Sequence, residues 1–138
     1  MNILRPAIDA HLLNSAIYND VQGRCYYQSA HNNDLPRVVY SRISGVPDNV
    51  FAKNGETVLI QFDLFSAQSA GPQEILTMET DLINLMDDCV LTLSGGKLLV
   101  GFQRQGTVSM EEDASPLQDG SSIISHTCID YEATYQSA

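Results

Sequence analysis

The sequence contains no tryptophan, only three cysteines, and seven basic residues against seventeen acidic ones. Each shortage excludes something. Cys25, Cys89 and Cys128 form no CxxC pair and keep no Cys/His spacing of a zinc module. Neither a disulfide framework nor a zinc site is therefore expected, and all three read as small apolar side chains in a reducing cytoplasm. The formal charge of −10 would repel a phosphate backbone, which argues against tight nucleic-acid binding. No uninterrupted apolar run approaches the ~20 residues of a membrane-spanning helix, and no basic n-region followed by an apolar h-region opens the chain. The chain is thus expected neither to span a membrane nor to be exported by a signal peptide.

Signatures of chemistry are equally sparse. Ser94-Gly95-Gly96-Lys97 lacks the spacing and the following helix of a phosphate-binding loop, and reads as a hairpin turn. His11, His31 and His126 lie far apart, so metal ligation is not expected from their spacing. No local signature marks Cys25 or Cys128 as a nucleophile. Glu111, Glu112 and Asp113 lack the alternating ligands and central glycine of a calcium loop, and the other acids are too scattered for a glycosidase pair. No catalytic residue, cofactor or metal ligand is assigned, and the chain reads as non-enzymatic.

What is present is an ordinary globular composition, with 43% hydrophobic and 17% charged residues in a chain of 138, a length that suits one domain. Ile8, Leu12, Leu13, Ala16 and Ile17 recur at three- and four-residue steps, which predicts one helix from Arg5 to about Tyr18 with Pro6 in its first turn. Arg24 to Ser29 reads as a short strand and Ala30 to Asp34 as a loop. Pro36 to Ser44 is β-rich and is expected to stop at Gly45 and Pro47, leaving Val46 to Gly55 as a turn or exposed hairpin loop. Thr57 to Ser66 alternates most clearly, with Val58, Ile60, Phe62 and Leu64 on one face. Pro72 opens a helix whose apolar stripe runs Ile75, Met78, Leu82, Ile83, Leu85, Met86 and Cys89. Strands are expected over Val90 to Leu93 and over Lys97 to Gln103, the latter extending through Gln105 to Met110. An acidic loop over Glu111 to Gly120 and a long strand over Ile123 to Tyr135 follow, with the buried face of that strand left open. The order describes an α+β domain, an antiparallel or mixed sheet with two helices packed on one face.

Several of these segments also resemble a known family when read in order. Gly23-Arg24-Cys25-Tyr26, Leu35-Pro36-Arg37-Val38-Val39-Tyr40 with its Gly45/Pro47 turn, and Gln61-Phe62-Asp63-Leu64-Phe65-Ser66 before a helix are similar to the tail-completion, or tail-terminator, proteins of long-tailed bacteriophages. Cys25 stands where that family usually has a branched aliphatic residue and Phe65 where Trp is common. The resemblance implies a structural virion protein, assembled in the host cytoplasm, whose copies close into a ring, typically hexameric, at the head-proximal end of the tail. Its implied partners are itself, the tail tube protein and a head–tail connector or stopper protein, with DNA passing through the lumen without specific binding.

Loops are the natural ring contacts, so candidate interface residues are His31, Asn32, Asn33 and Asp34, then Asp48, Phe51 and Lys53, then Glu111, Glu112 and Asp113. Two other readings remain open: a neck or head-completion adaptor between portal and tail, and a small hydrolase or ligand-binding module using His126 or Cys128. The acidic balance carries its own expectation. Purified assemblies of this chain should show no retention of duplex DNA in a mobility-shift assay at physiological salt, and tight retention would rule out an acid-lined passage for DNA.

Overall fold

The computed structural model of the chain describes residues 2–30, 34–50, 53–95, 97–113 and 123–137. Two helices open the chain, α1 (Leu4–Leu12) and α2 (Ala16–Asp20), followed by strands β1 (Cys25–Tyr27), β2 (Arg37–Val50) and β3 (Lys53–Ala67). A short 3₁₀ turn (Gln68–Ala70) leads into α3 (Pro72–Met86), and β4 (Lys97–Asp113) and β5 (Ile123–Ser137) complete the order. The strands form one mixed sheet in the order β1-β2-β3-β5-β4; β1 runs parallel to β2 and every other pair is antiparallel. This is the expected α+β architecture. Among the described residues, no helix is long and apolar enough to cross a membrane.

Burial is one-sided. Val58, Ile60, Phe62 and Leu64 of β3 are fully buried, and so are Val38 and Tyr40 of β2 and Ile129, Tyr131 and Ala133 of β5. Since strand side chains alternate, all of these lie on the same face, and the helices cover that face alone. Leu4, Ile8 and Leu12 supply α1's buried stripe at four-residue steps, while Ile75, Met78, Leu82 and Met86 supply that of α3. The face of β5 that alternation alone left undecided is settled by Ile129 and Tyr131.

One aromatic ring from each strand joins a file across this buried face. Tyr27, Tyr40, Phe62, Tyr131 and Phe102 follow one another with centroid separations of 5.1, 5.5, 5.7 and 5.1 Å. Each such pair adds about 0.5–1.5 kcal/mol beyond the area it buries. The tyrosine hydroxyls need partners in this dry layer and find carboxylates around it. Tyr40 donates to Asp9 of α1 at 2.5 Å, Tyr131 to Asp87 at the end of α3 at 2.6 Å, and Tyr135 to Glu56 at 2.8 Å. Burial first, and the accepting carboxylate second, push all three phenols upward, Tyr135 to about 12.

The first expected helix is two. Leu13 leaves helical geometry at ψ 128°, Asn14 turns left-handed at φ 61°, and Ser15 caps α2 by accepting from the Tyr18 N–H at 3.3 Å. Asn tolerates that conformation and Ser is a preferred N-cap, so the break at Asn14-Ser15 overrides the apolar spacing. The second expected helix, α3, ends at Met86, before Cys89, because Asp87 turns out to meet both Tyr131 and Arg104, the latter at 3.3 Å. Val90 to Leu93 is irregular and not a strand.

The expected stop at Gly45 and Pro47 is also overturned. β2 continues to Val50, and Val46 to Gly55 is largely paired strand, with Asp48 opposite Gly55 and Val50 opposite Lys53. Among the described residues β2 is an edge strand there, the place in a sheet where a proline is tolerated. Gly45 leaves room for the Glu56 carboxylate that Tyr135 holds, since a Cβ at 45 would stand 2.6 Å from Glu56 Oε1. Likewise Glu111, Glu112 and Asp113 belong to β4 and not to a loop.

In the helical layer the Asp20 and Asp81 carboxyls face each other. Burial and the facing Asp81 carboxyl push Asp20 at the end of α2 from 3.8 up to about 6, and its Oδ2 is buried without a hydrogen-bond partner among the described residues. An acid whose folded pKa is raised binds its proton more tightly when folded. Stability is therefore lost as pH climbs from the ordinary carboxylate value through about 6, and the penalty persists above that. Asp20→Asn should raise the unfolding free energy in urea by about 1–2 kcal/mol at pH 8, with the gain disappearing in acid below the usual carboxylate range.

Candidate functional site

With all three helices on one side, no described element covers the other face of the sheet, and its cross-strand rows can be read from the register. Arg37, Phe65, His126 and Met110 form one row; Val39, Asp63, Cys128 and Val108 form the next; Ser41, Gln61, Asp130 and Gly106 the third. The Arg37 guanidinium lies 4.5 Å over the Phe65 ring, which in turn stacks on His126 at 4.3 Å and 22°. That stack shelters His126, which is only 9% exposed although no helix covers it.

Below the stack lies a dense polar cluster. His126 Nε2 is 2.8 Å from Asp63 Oδ1, and His126 Nδ1 is 2.9 Å from Glu112 Oε1. Cys128 Sγ lies 3.1 Å from Asp63 Oδ1 and 3.3 Å from His126 Nε2. Gln61 donates to Asp63 Oδ1 at 2.8 Å. Three strands contribute: Gln61 and Asp63 from β3, His126 and Cys128 from β5, Glu112 from β4. The even positions 126, 128 and 130 share this face because a strand repeats every two residues.

A thiol beside an imidazole that is held by a carboxylate has the outline of a nucleophile with its base. The electrostatics run the other way. Burial first, then the Asp63 carboxylate that accepts from the thiol, push Cys128 up to about 12, so the thiolate is disfavoured and not activated. Asp130, two residues on, is also pushed upward by burial and by Asp63, and its Oδ1 is buried without a partner among the described residues. Burial pushes the Arg37 guanidinium downward, and its Nη1 likewise finds no partner. A cleft of about 330 Å³ between α1, α2 and β1 is lined by Arg5, Asp9, Leu13, Tyr18 and Tyr26 and lies apart from this cluster. His11, the other described histidine, faces the Leu85 carbonyl of α3 at 3.0 Å and ties the two longer helices together.

Among the described residues the sheet also has two free edges. β4 is the last strand, and every residue from Gln103 to Glu112 is exposed, including Val108 at 57% and Met110 at 40%. On the opposite side β1 pairs only with Val38 to Tyr40, so no described strand covers β2 from Ser41 onward, where Ile43 is 51% exposed. Each edge carries a register shift, between Arg42 and Ser44 in β2 and between Arg104 and Gly106 in β4. Such bulges twist an edge and limit which strands can pair with it.

The candidate interface residues fall at opposite ends of the sheet. Asp48 and Lys53 lie near the β2–β3 hairpin, whereas exposed Asp34 precedes β2 at the other end, where Glu111, Glu112 and Asp113 pair with β5. His31, Asn32, Asn33 and Phe51 lie outside the described residues, as does 114–122 of the acidic stretch. Glu112 is the one that joins the polar cluster. Arg24 and the Leu35-Pro36 pair, distant motifs of the sequence, also meet: the guanidinium donates to the Pro36 carbonyl at 2.8 Å and to the Leu35 carbonyl at 3.0 Å. That clamp sets the entry of β2 beside β1.

Burial raises the other thiols as well, Cys25 to about 12 and Cys89 to about 11. Alkylation of the native chain by iodoacetamide at pH 8 should therefore run on the order of a hundredfold or more slower at each cysteine than in the urea-unfolded chain. Fast labelling of native Cys128, read by mass spectrometry, would show that its thiol is activated after all.

No family model matches the sequence, and no curated protein matches it either. The solved structures do match. The fold is similar to that of a chain in a structure described as the virion of a native gene transfer agent (GTA) particle, with a TM-score of 0.74 over 99% of this chain and 96% of that one, at 13% sequence identity. The chain thus shares its fold with a chain of a virion particle.

Proposed function

We propose that this chain is a structural virion subunit whose copies close into a ring, hexameric as in the family it resembles, at the head-proximal end of a phage-type tail. There the ring ends growth of the tail tube and joins the tail to a head connector or stopper. The observation that carries this reading is the end-to-end match of fold with a chain of a virion particle. Its agreement with the ordered motifs around Arg24, Leu35-Pro36 and Gln61 to Ser66 points to the tail-completion role.

The two free edges support ring assembly physically. A head-to-tail contact uses different patches on the two partners and closes into a ring when the rotation per subunit divides a full turn. The exposed β4 edge and the uncovered stretch of β2 lie on opposite sides of the sheet, as such a contact requires. Pairing one copy's β4 with the next copy's β2 would satisfy backbone groups and cover Ile43, Val108 and Met110. Asp34, Asp48, Lys53, Glu111, Glu112 and Asp113 then flank the contact at the two ends of the strands, and His31, Asn32, Asn33 and Phe51, outside the described residues, are proposed as further contact residues. The charge of −10 per copy suits a lumen that DNA crosses without sticking.

Tails made without this protein should be overlong or ragged by negative-stain microscopy. Ile43→Glu combined with Val108→Glu should leave the circular-dichroism spectrum and melting temperature of the monomer nearly unchanged while abolishing rings and head joining. Finding the subunit on tails from a head-deficient lysate supports the terminator role. Its presence only on heads would make it a neck adaptor, and normal tails in its absence would remove the proposal.

A further inference from the structure

We propose that Asp63, His126 and Cys128 form a binding site for a single Zn²⁺ ion on the helix-free face of the sheet, with Glu112 orienting the histidine. The three ligand atoms, one carboxylate oxygen, one imidazole nitrogen and one sulfur, all lie within 4.8 Å of one another. In a tetrahedral zinc site with ordinary bond lengths, such atoms stand roughly 3.3–3.6 Å apart. The measured separations of 2.8, 3.1 and 3.3 Å need to open by only about half an ångström or less to admit the ion.

The surroundings match what a zinc site uses. A zinc-bound histidine commonly gives its other ring N–H to a carboxylate, which fixes the tautomer and orients the ring. His126 has that arrangement already: Nε2 faces the cluster and Nδ1 faces Glu112 Oε1 at 2.9 Å. Phe65 and Arg37 cap the ring from above, and the His126 and Asp63 side chains are only 10% and 16% exposed. A sulfur and an imidazole in one set favour zinc over calcium or magnesium, which prefer oxygen alone. Gln61 sits beside the site, and with three protein ligands the fourth position would be open to solvent. On binding, the Cys128 S–H bond is broken, sulfur keeps the electron pair and binds the metal, and one proton passes to solvent. The ion would cross-link β3 to β5 and, through Glu112, secure the exposed strand β4.

The proposal is independent of the assembly role and is tested on the purified, metal-stripped chain. Titration with Co²⁺ should produce a thiolate-to-cobalt charge-transfer band that saturates at one equivalent and vanishes when Zn²⁺ is added. Excess Zn²⁺ should raise the melting temperature by a few degrees. The band should persist in a Cys25→Ala, Cys89→Ala double variant, where Cys128 is the remaining thiol, and be lost in Cys128→Ser. Glu112→Gln should keep the band while weakening zinc affinity roughly ten- to a hundredfold. No band in the wild-type chain, a band surviving Cys128→Ser, or a band lost from the double variant would each overturn the site. Should Cys128→Ser fail to fold, the double variant still decides whether Cys128 holds the metal.

Discussion

Tyr40, Phe62 and Tyr131 stand on adjacent strands beneath the helices, and keeping these three rings out of water is the constraint from which the rest of the sheet follows. A slip of one residue in any of the three strands would turn its rings outward, so burial locks the register. The same lock decides what lies on the reverse. Asp63 follows Phe62 and Cys128 precedes Ile129, so the strand pairing that dries the aromatic file also brings carboxylate, thiol and imidazole together on the far side. The polar cluster is thus a by-product of core packing in position, though not in chemistry.

Much of the fold was legible because the decisive signals are periodic. The alternation of Val58, Ile60, Phe62 and Leu64, and the stripe from Ile75 to Met86, report burial directly, and both elements formed where expected. The misreadings share a different cause: a local signal outranked by, or outranking, its surroundings. At Asn14-Ser15 a capping pair defeats helical spacing. At Gly45 and Pro47 turn-forming residues are carried through a strand by thirteen paired positions with β3. The acidic run at Glu111 reads as a loop by composition, yet pairing with β5 holds it extended.

The cluster itself was invisible for a plainer reason. Asp63 and His126 are 63 positions apart, and nothing in either neighbourhood indicates that β3 and β5 are partners. Only the two-residue step from His126 to Cys128 was available to the eye, and a strand whose buried face is undetermined does not say which residues that step aligns. Edge strands are harder still to read: the exposed run from Gln103 to Glu112 carries ordinary residues, and its freedom from a neighbour is a property of topology.

Strand length has an effect of its own. At about 3.3 Å per residue, the seventeen residues of β4 extend roughly 55 Å, whereas the fifteen of α3 reach only about 22 Å. No helix here can roof such a strand from end to end. Amide protons under the helical roof should therefore be long-lived and those in the overhangs short-lived, giving the chain a stiff hub with yielding flanges. A part built this way adapts its rims to whatever it meets without disturbing its centre.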